Sequence, residues 1–203
     1  MSILVANCFH WVGFHLINEF LYRGIEVDGV DELETSKKEH LSMFVGRNDL
    51  FSLVPKNKLG TYQTAIIVED TNLISSISSA RMIKIGNENQ RSSLHNVKEV
   101  QVPLLFGEWM PMTKKGCLYQ ERMIPFDSEE FMSSAIYVGD FVRAFMQWLE
   151  LRDFPSHLQV CTKKNEIDEA LKLENSIYIR DNVPIEENIQ KVIRHFERYK
   201  QFY

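Results

Sequence analysis

The chain has only three cysteines, Cys8, Cys117 and Cys161, far apart and without CxxC spacing. That excludes a disulfide scaffold and a thiolate zinc site, and fits free thiols in a reducing cytosol. No apolar run approaches the roughly 18 residues that span a bilayer. The opening MSILVANCFHWVGFHL has neither a basic leader nor a small-residue cleavage site, so a cytoplasmic protein with no membrane partner is expected. The histidines form no HxxxH or HExxH pattern, and no metal site is expected. No repeat, low-complexity tract or Gly/Ser/Pro-rich linker divides the sequence. Positive charge is in deficit. Against 28 acidic residues stand 23 lysines and arginines, a net charge of -5, which argues against nucleic acid as a partner.

What is present fits one globular core. The chain has 203 residues, 44% hydrophobic and 25% charged. Residues 2–6 (SILVA) read as a buried strand. Val12, Leu16, Ile17 and Phe20 then recur at helical spacing over 12–23, with Gly24 as the stop. Residues 25–30 (IEVDGV) give a second strand, ended by Asp31. Further on, 36–45 reads as a helix, and 50–54, 64–68 and 81–85 as strands. Residues 98–106 look extended, with Pro103 marking a strand end or bulge. Residues 139–151 carry a core stripe at Phe141, Phe145 and Trp148, and 158–161 forms a short strand. Pro184 opens an amphipathic helix over 185–200, with Glu186 and Glu187 in its first turn. This alternation predicts an α/β fold with a mainly parallel sheet.

The unit ILVANCFHWVGFHLINEFLYRGIEVDGVDEL has the strand–loop–helix–strand order of a dinucleotide site. It resembles the opening βαβ unit of the NAD-dependent epimerase/dehydratase family, the extended short-chain dehydrogenases/reductases, which begins like VTGxxGFIGxHLxxxLLxxGxEVxGVD. EVQVPLLFGEWMP is similar to that family's RxxNVYGPxxxP turn, with Phe106 for Tyr and Glu108 for Pro. SAIYVGDFVRAFMQWLE is similar to its DxVYVDDVAxAxxxALE block, with Gly139 where an acid is common and Asp140 kept. The helix after Pro184 is similar to its closing segment. The resemblance covers most of the chain, with gaps around 35–60 and 70–98.

It implies a Rossmann-type, doubly wound, mainly parallel sheet with a reduced substrate lobe. A single domain over 1–203 is expected, its core at about 1–106 and 135–155 and its lobe at about 107–134 and 156–203. The resemblance also implies an NAD(P) site, with Asn7, His10 and Gly13 standing at the three loop glycines and Asp31 at the ribose position. Asn suits the left-handed turn of the first glycine, and Gly13 keeps the packing of the third. His10 replaces the glycine that gives the pyrophosphate room. It either fills the vacated ligand space or, protonated, pairs with a phosphate. Asp31 either binds ribose hydroxyls or caps the next turn. Glu69 and Asp70 stand where the family places small residues beside the cofactor. At ~6 Å and an effective dielectric of about 20, each carboxylate would repel a phosphate charge by roughly 2–3 kcal/mol. Alternatively both point to solvent, with Asp70 capping a helix near Asn72.

The family's chemistry rests on a Tyr-x-x-x-Lys pair, and none of the tyrosines here has Lys four residues later. The family's strand-end serine falls at Gly86 or Asn87. Only about a dozen residues separate the strands at 81–85 and 99–106, too few for the helix that would carry the pair. Cys8 and His10 invite comparison with a Cys/His nucleophile pair, although a buried strand-end thiol has the same appearance. The expectation is therefore a pseudoenzyme with no assigned catalytic residue, acting through a protein partner or a small ligand. The alternatives are a sensor that keeps NAD(P) or another nucleotide, or an oxidoreductase/epimerase with a non-standard site built on His10, Cys8 or Glu69.

Overall fold

The computed structural model describes residues 2–69, 74–86, 97–151, 153–162 and 176–203. It divides into two compact units, Met1–Gln101 with Pro155–His157, and Val102–Phe154 with Leu158–Tyr203.

In the first unit, β1 (Ile3–Ala6), α1 (Trp11–Tyr22), β2 (Val27–Val30), α2 (Ser36–Val45), β3 (Phe51–Leu53), β4 (Thr61–Val68), β5 (Ser78–Gly86) and β6 (Val97–Gln101) follow in chain order. Their strands form a parallel array in the order β6-β5-β4-β1-β2-β3. The chain winds outward from β1 to β3 and then returns to β4 on the other side of β1. The carboxyl ends of β1 and β4 thus bound the point where the strand order reverses, the place where open α/β sheets hold ligands.

Local chemistry sets these elements. The β1 residues Ile3, Leu4, Val5 and Ala6 are all buried, as expected of a strand covered on both faces. Leu4 and Ala6 join Val30, Tyr62, Ala65, Ile67, Ile74 and Ile77 in one apolar cluster. Helix α1 buries Val12, Leu16, Ile17 and Phe20, as their spacing predicts, and ends at Gly24 with φ +71°. Helix α2 starts at Thr35, whose hydroxyl accepts the Lys38 N–H at 3.2 Å. Strands β4 and β5 begin earlier than their apolar runs suggest, because polar residues such as Thr61, Ser78 and Ser79 extend the pairing. Pro155–His157 returns to β6, where the Glu99 N–H donates to Ser156 O at 2.9 Å.

In the second unit, the extended reading of 98–106 breaks at Pro103, and β7 is limited to Leu105–Phe106. An antiparallel sheet of β8 (Met112–Thr113), β9 (Gly116–Tyr119) and β10 (Arg122–Pro125) follows, which the sequence pattern did not reveal. Then come α3 (Glu129–Ser134), β11 (Ile136–Tyr137), α4 (Val138–Leu149), β12 (His157–Thr162, its first residue in the first unit), β13 (Ser176–Ile179) and α5 (Ile185–Tyr199). Strand β11 pairs with β7, and β12 with β13, both in parallel. Phe141, Phe145 and Trp148 of α4 are buried against one another as the stripe predicts. Glu186 and Glu187 sit in the first turn of α5. Among the described residues no helix is long and apolar enough to cross a membrane.

The β9–β10 turn places Gln120 and Glu121 at φ +47° and +63°, left-handed values that suit glycine or asparagine. Replacing Glu121 by Gly should raise stability by about 1 kcal/mol, read as a higher urea midpoint with an unchanged slope.

Candidate functional site

The site grows from the loop after β1. Asn7 takes φ +56°, and its Nδ2 donates to Val68 O at 3.0 Å, tying the ends of β1 and β4 together. The Phe14 N–H reaches His10 O at 2.8 Å, the first bond of α1. A Cβ on Gly13 would lie 2.6 Å from Asn7 O, so only glycine lets the helix approach the loop this closely. On the neighbouring strand a Cβ on Gly29 would lie 2.8 Å from Cys8 Sγ and from the Phe51 ring. Cys8 is fully buried, and burial together with Asp31 raises its thiol pKa, so this cysteine is no ready nucleophile.

Asp31 is the hub. Its side chain is 4% exposed. Oδ2 accepts the Phe9 N–H at 2.7 Å, while Oδ1 accepts the Glu32 N–H at 2.7 Å and Lys38 Nζ at 2.6 Å. The carboxylate that a ribose would require is thus bonded to the chain's own amides and ammonium. The side chain does not face solvent, and its reach to Phe9 and Lys38 is not legible in the sequence.

His10 and Glu69 meet across the same opening, with Nε2 3.4 Å from Oε2. Burial, reinforced by the nearby Lys37 and Lys38 cations, pushes the imidazole pKa down to about 3. The ring is therefore neutral at physiological pH and carries no charge for a phosphate. Its Nδ1 is buried without a hydrogen-bond partner. Glu69 has φ +56°, and burial raises its carboxyl pKa. Burial also lowers Lys37 to about 8. Asn7, His10, Gly13, Asp31 and Glu69 are gathered at one strand-end opening. Asp70 and the cap near Asn72 lie outside the described residues, as does Asn87.

The fold implies a dinucleotide, and its fit here is uneven. Asn7 and Gly13 keep the backbone turn that a pyrophosphate needs. His10 places a neutral ring where that motif needs space, Glu69 sets a carboxyl group beside it, and Asp31 has donors on both oxygens. As they stand, these residues do not fit the group. Strands β5 and β6 are parallel neighbours joined by only ten residues, 87–96.

The second unit contains a tyrosine–lysine contact that no spacing rule could have found. Lys191 Nζ donates to Tyr137 Oη at 2.6 Å, and the Tyr137 O–H reaches the Glu108 carboxylate at 3.0 and 3.1 Å. Lys191 also pairs with Glu108 at 2.9 Å. Gly139 makes room: a Cβ there would lie 2.6 Å from the Tyr137 ring. Two departures from the family pattern, Glu108 and Gly139, therefore meet at one tyrosine. Tyr137 is 6% exposed; burial and Glu108 raise its pKa, and Lys191 works against them. Beside Glu108, the Trp109 N–H donates to Tyr203 Oη at 2.7 Å, and that oxygen lies 2.6 Å from His195 Nδ1.

No family model and no curated protein matches the sequence. Solved structures do. The dTDP-glucose 4,6-dehydratase of Bacillus anthracis, determined in complex with NAD, is similar at 10% identity over 100% of this chain and 98% of that one, with a TM-score of 0.63. The UDP-glucose 4-epimerase of Thermotoga maritima, determined with UDP-glucose, matches at 12% identity over 98% and 99%, with a TM-score of 0.59. Yeast methylglyoxal/isovaleraldehyde reductase, complexed with NADPH, matches at 12% identity over 99% and 100%, with a TM-score of 0.58. The chain therefore has the Rossmann-like α/β fold of the NAD-dependent epimerases and dehydratases.

Two outcomes follow from the geometry. Unfolded, His10 binds a proton near pH 6.5; folded, it resists one until about pH 3. Stability therefore falls as pH drops through that window, and His10→Asn should flatten the slope by up to ~1.4 kcal/mol per pH unit. The raised Glu69 contributes with the opposite sign and remains in both proteins. Urea denaturation at several pH values between 4 and 7 measures this. Lys191→Met, which leaves the buried Glu108 without its cation, should cost about 2 kcal/mol in the same assay at pH 7.

Proposed function

We propose that the chain is a non-catalytic relative of the NAD-dependent epimerases and dehydratases, working in the reducing cytosol by binding a protein partner or a small ligand. The observation that carries this reading is Asp31, whose two oxygens already hold the Phe9 and Glu32 amides and the Lys38 ammonium. The relatives of this fold named above were determined with NAD, NADPH or UDP-glucose. Here the strand-end groups that would receive a dinucleotide are joined to one another instead. The ten residues between β5 and β6, about half of what a helix with its returns needs, support the same reading.

A second reading, a nucleotide sensor without turnover, is favoured by the retained turn at Asn7 and by the close approach at Gly13. In that case Asp31 would have to exchange Lys38 for ribose hydroxyls, and His10 would have to leave Glu69.

Thermal unfolding with NAD+, NADH, NADP+ and NADPH separates the two. Ligand at 100 times its dissociation constant stabilises the native state by about 2.7 kcal/mol, several degrees for a chain of this size. The expected result is no shift at millimolar concentration. A clear shift with one dinucleotide would replace the first reading with the second.

A further inference from the structure

We infer that His10 and Glu69 form a plug over the strand-end opening, and that this plug, rather than loss of the backbone cradle beneath it, keeps a pyrophosphate-bearing nucleotide out. The inference rests on the proposed function, since it explains how a dinucleotide fold would come to bind none.

The cradle is intact. Asn7 holds the left-handed turn at φ +56°, and Gly13 lets α1 pack where a Cβ would lie only 2.6 Å from Asn7 O. Helix α1 has no side-chain cap and no acidic residue in its first turn, so nothing local to the helix answers its amino-end dipole. Above this cradle stand two groups held at a local cost. Glu69 is a non-glycine residue at φ +56°, a conformation that costs about 1–2 kcal/mol. His10 keeps Nδ1 buried without a partner, a further penalty of about 1–3 kcal/mol. Both costs fall on one contact, Nε2 to Oε2 at 3.4 Å, which spans the ends of β1 and β4. Strain at a strand-end opening that packing alone does not require points to a role there. The role available is exclusion: the ring takes the space where the motif has glycine, and the carboxyl group repels phosphate.

The plug is removable without disturbing the hub. Neither residue bonds to Asp31 in the contacts described above, and glycine at 69 relieves the left-handed strain. The test is thermal unfolding of the wild type, Glu69→Gly, His10→Gly and the double variant, with inorganic pyrophosphate, ADP and NAD+ as probes. The double variant should gain a rise of about 3–6 °C with inorganic pyrophosphate, the response to ligand at roughly ten times its dissociation constant, and a smaller one with ADP or NAD+, whose ribose would have to displace Lys38 from Asp31. Each single variant should show a smaller rise, and the wild type none. A folded double variant that gains nothing overturns the plug and leaves the proposed function standing. A wild type that already shifts as much as the double variant overturns both. Should His10→Gly prevent folding, Glu69→Gly alone decides, with a measurable rise in inorganic pyrophosphate supporting the plug and no rise refuting it.

Discussion

The Asp31 carboxylate binds three donors from three places: the loop after β1, the residue that follows it, and α2. A side chain 4% exposed to water needs partners for both its oxygens, and these donors supply them. The consequence runs outward. Fixing the Phe9 amide fixes the loop, which places Asn7 in its left-handed turn and turns His10 toward Glu69. Fixing Lys38 brings the amino end of α2 to the same point, where Lys37 and Lys38 help to keep the His10 imidazole neutral. The residue that ends β2 thus serves as a joint between the loop after β1 and α2.

The second unit follows the same logic with different residues. Glu108 is buried and is answered by Lys191 and the Tyr137 hydroxyl, and Gly139 gives the Tyr137 ring the space it needs. Trp109, next in sequence, takes φ +68° and gives its amide to Tyr203. In both units, residues that depart from the family pattern are satisfied by one another.

Much of the fold was legible in the sequence. β1 is a continuous apolar run, α1, α4 and α5 carry apolar stripes, and Gly24 and Pro184 mark boundaries by their backbone chemistry. The antiparallel sheet over 112–125 was not legible. Its strands are short and mixed in polarity, and its hairpin turns at Gln120 and Glu121, neither of which signals a left-handed residue. The site was half legible. Asn7, His10, Gly13, Asp31 and Glu69 could be placed from the motif, because a glycine loop has fixed spacing. Their bonding could not, because Lys38 lies seven residues beyond Asp31 and Glu69 lies 59 beyond His10. The contact of Lys191 with Tyr137 joins residues 54 apart and depends on the tertiary fold alone.

The Phe9 amide offers the most direct test of the proposal that Asp31 is held by the chain itself. In an amide-resolved hydrogen-exchange experiment, its 2.7 Å bond to the buried Asp31 carboxylate should protect it about as strongly as the amides of β1. Millimolar NAD+ should leave both its exchange rate and its chemical shift unchanged. Rapid exchange of Phe9, or a marked change in its shift on adding NAD+, would show that Asp31 is free to take a ribose and that the crevice is open.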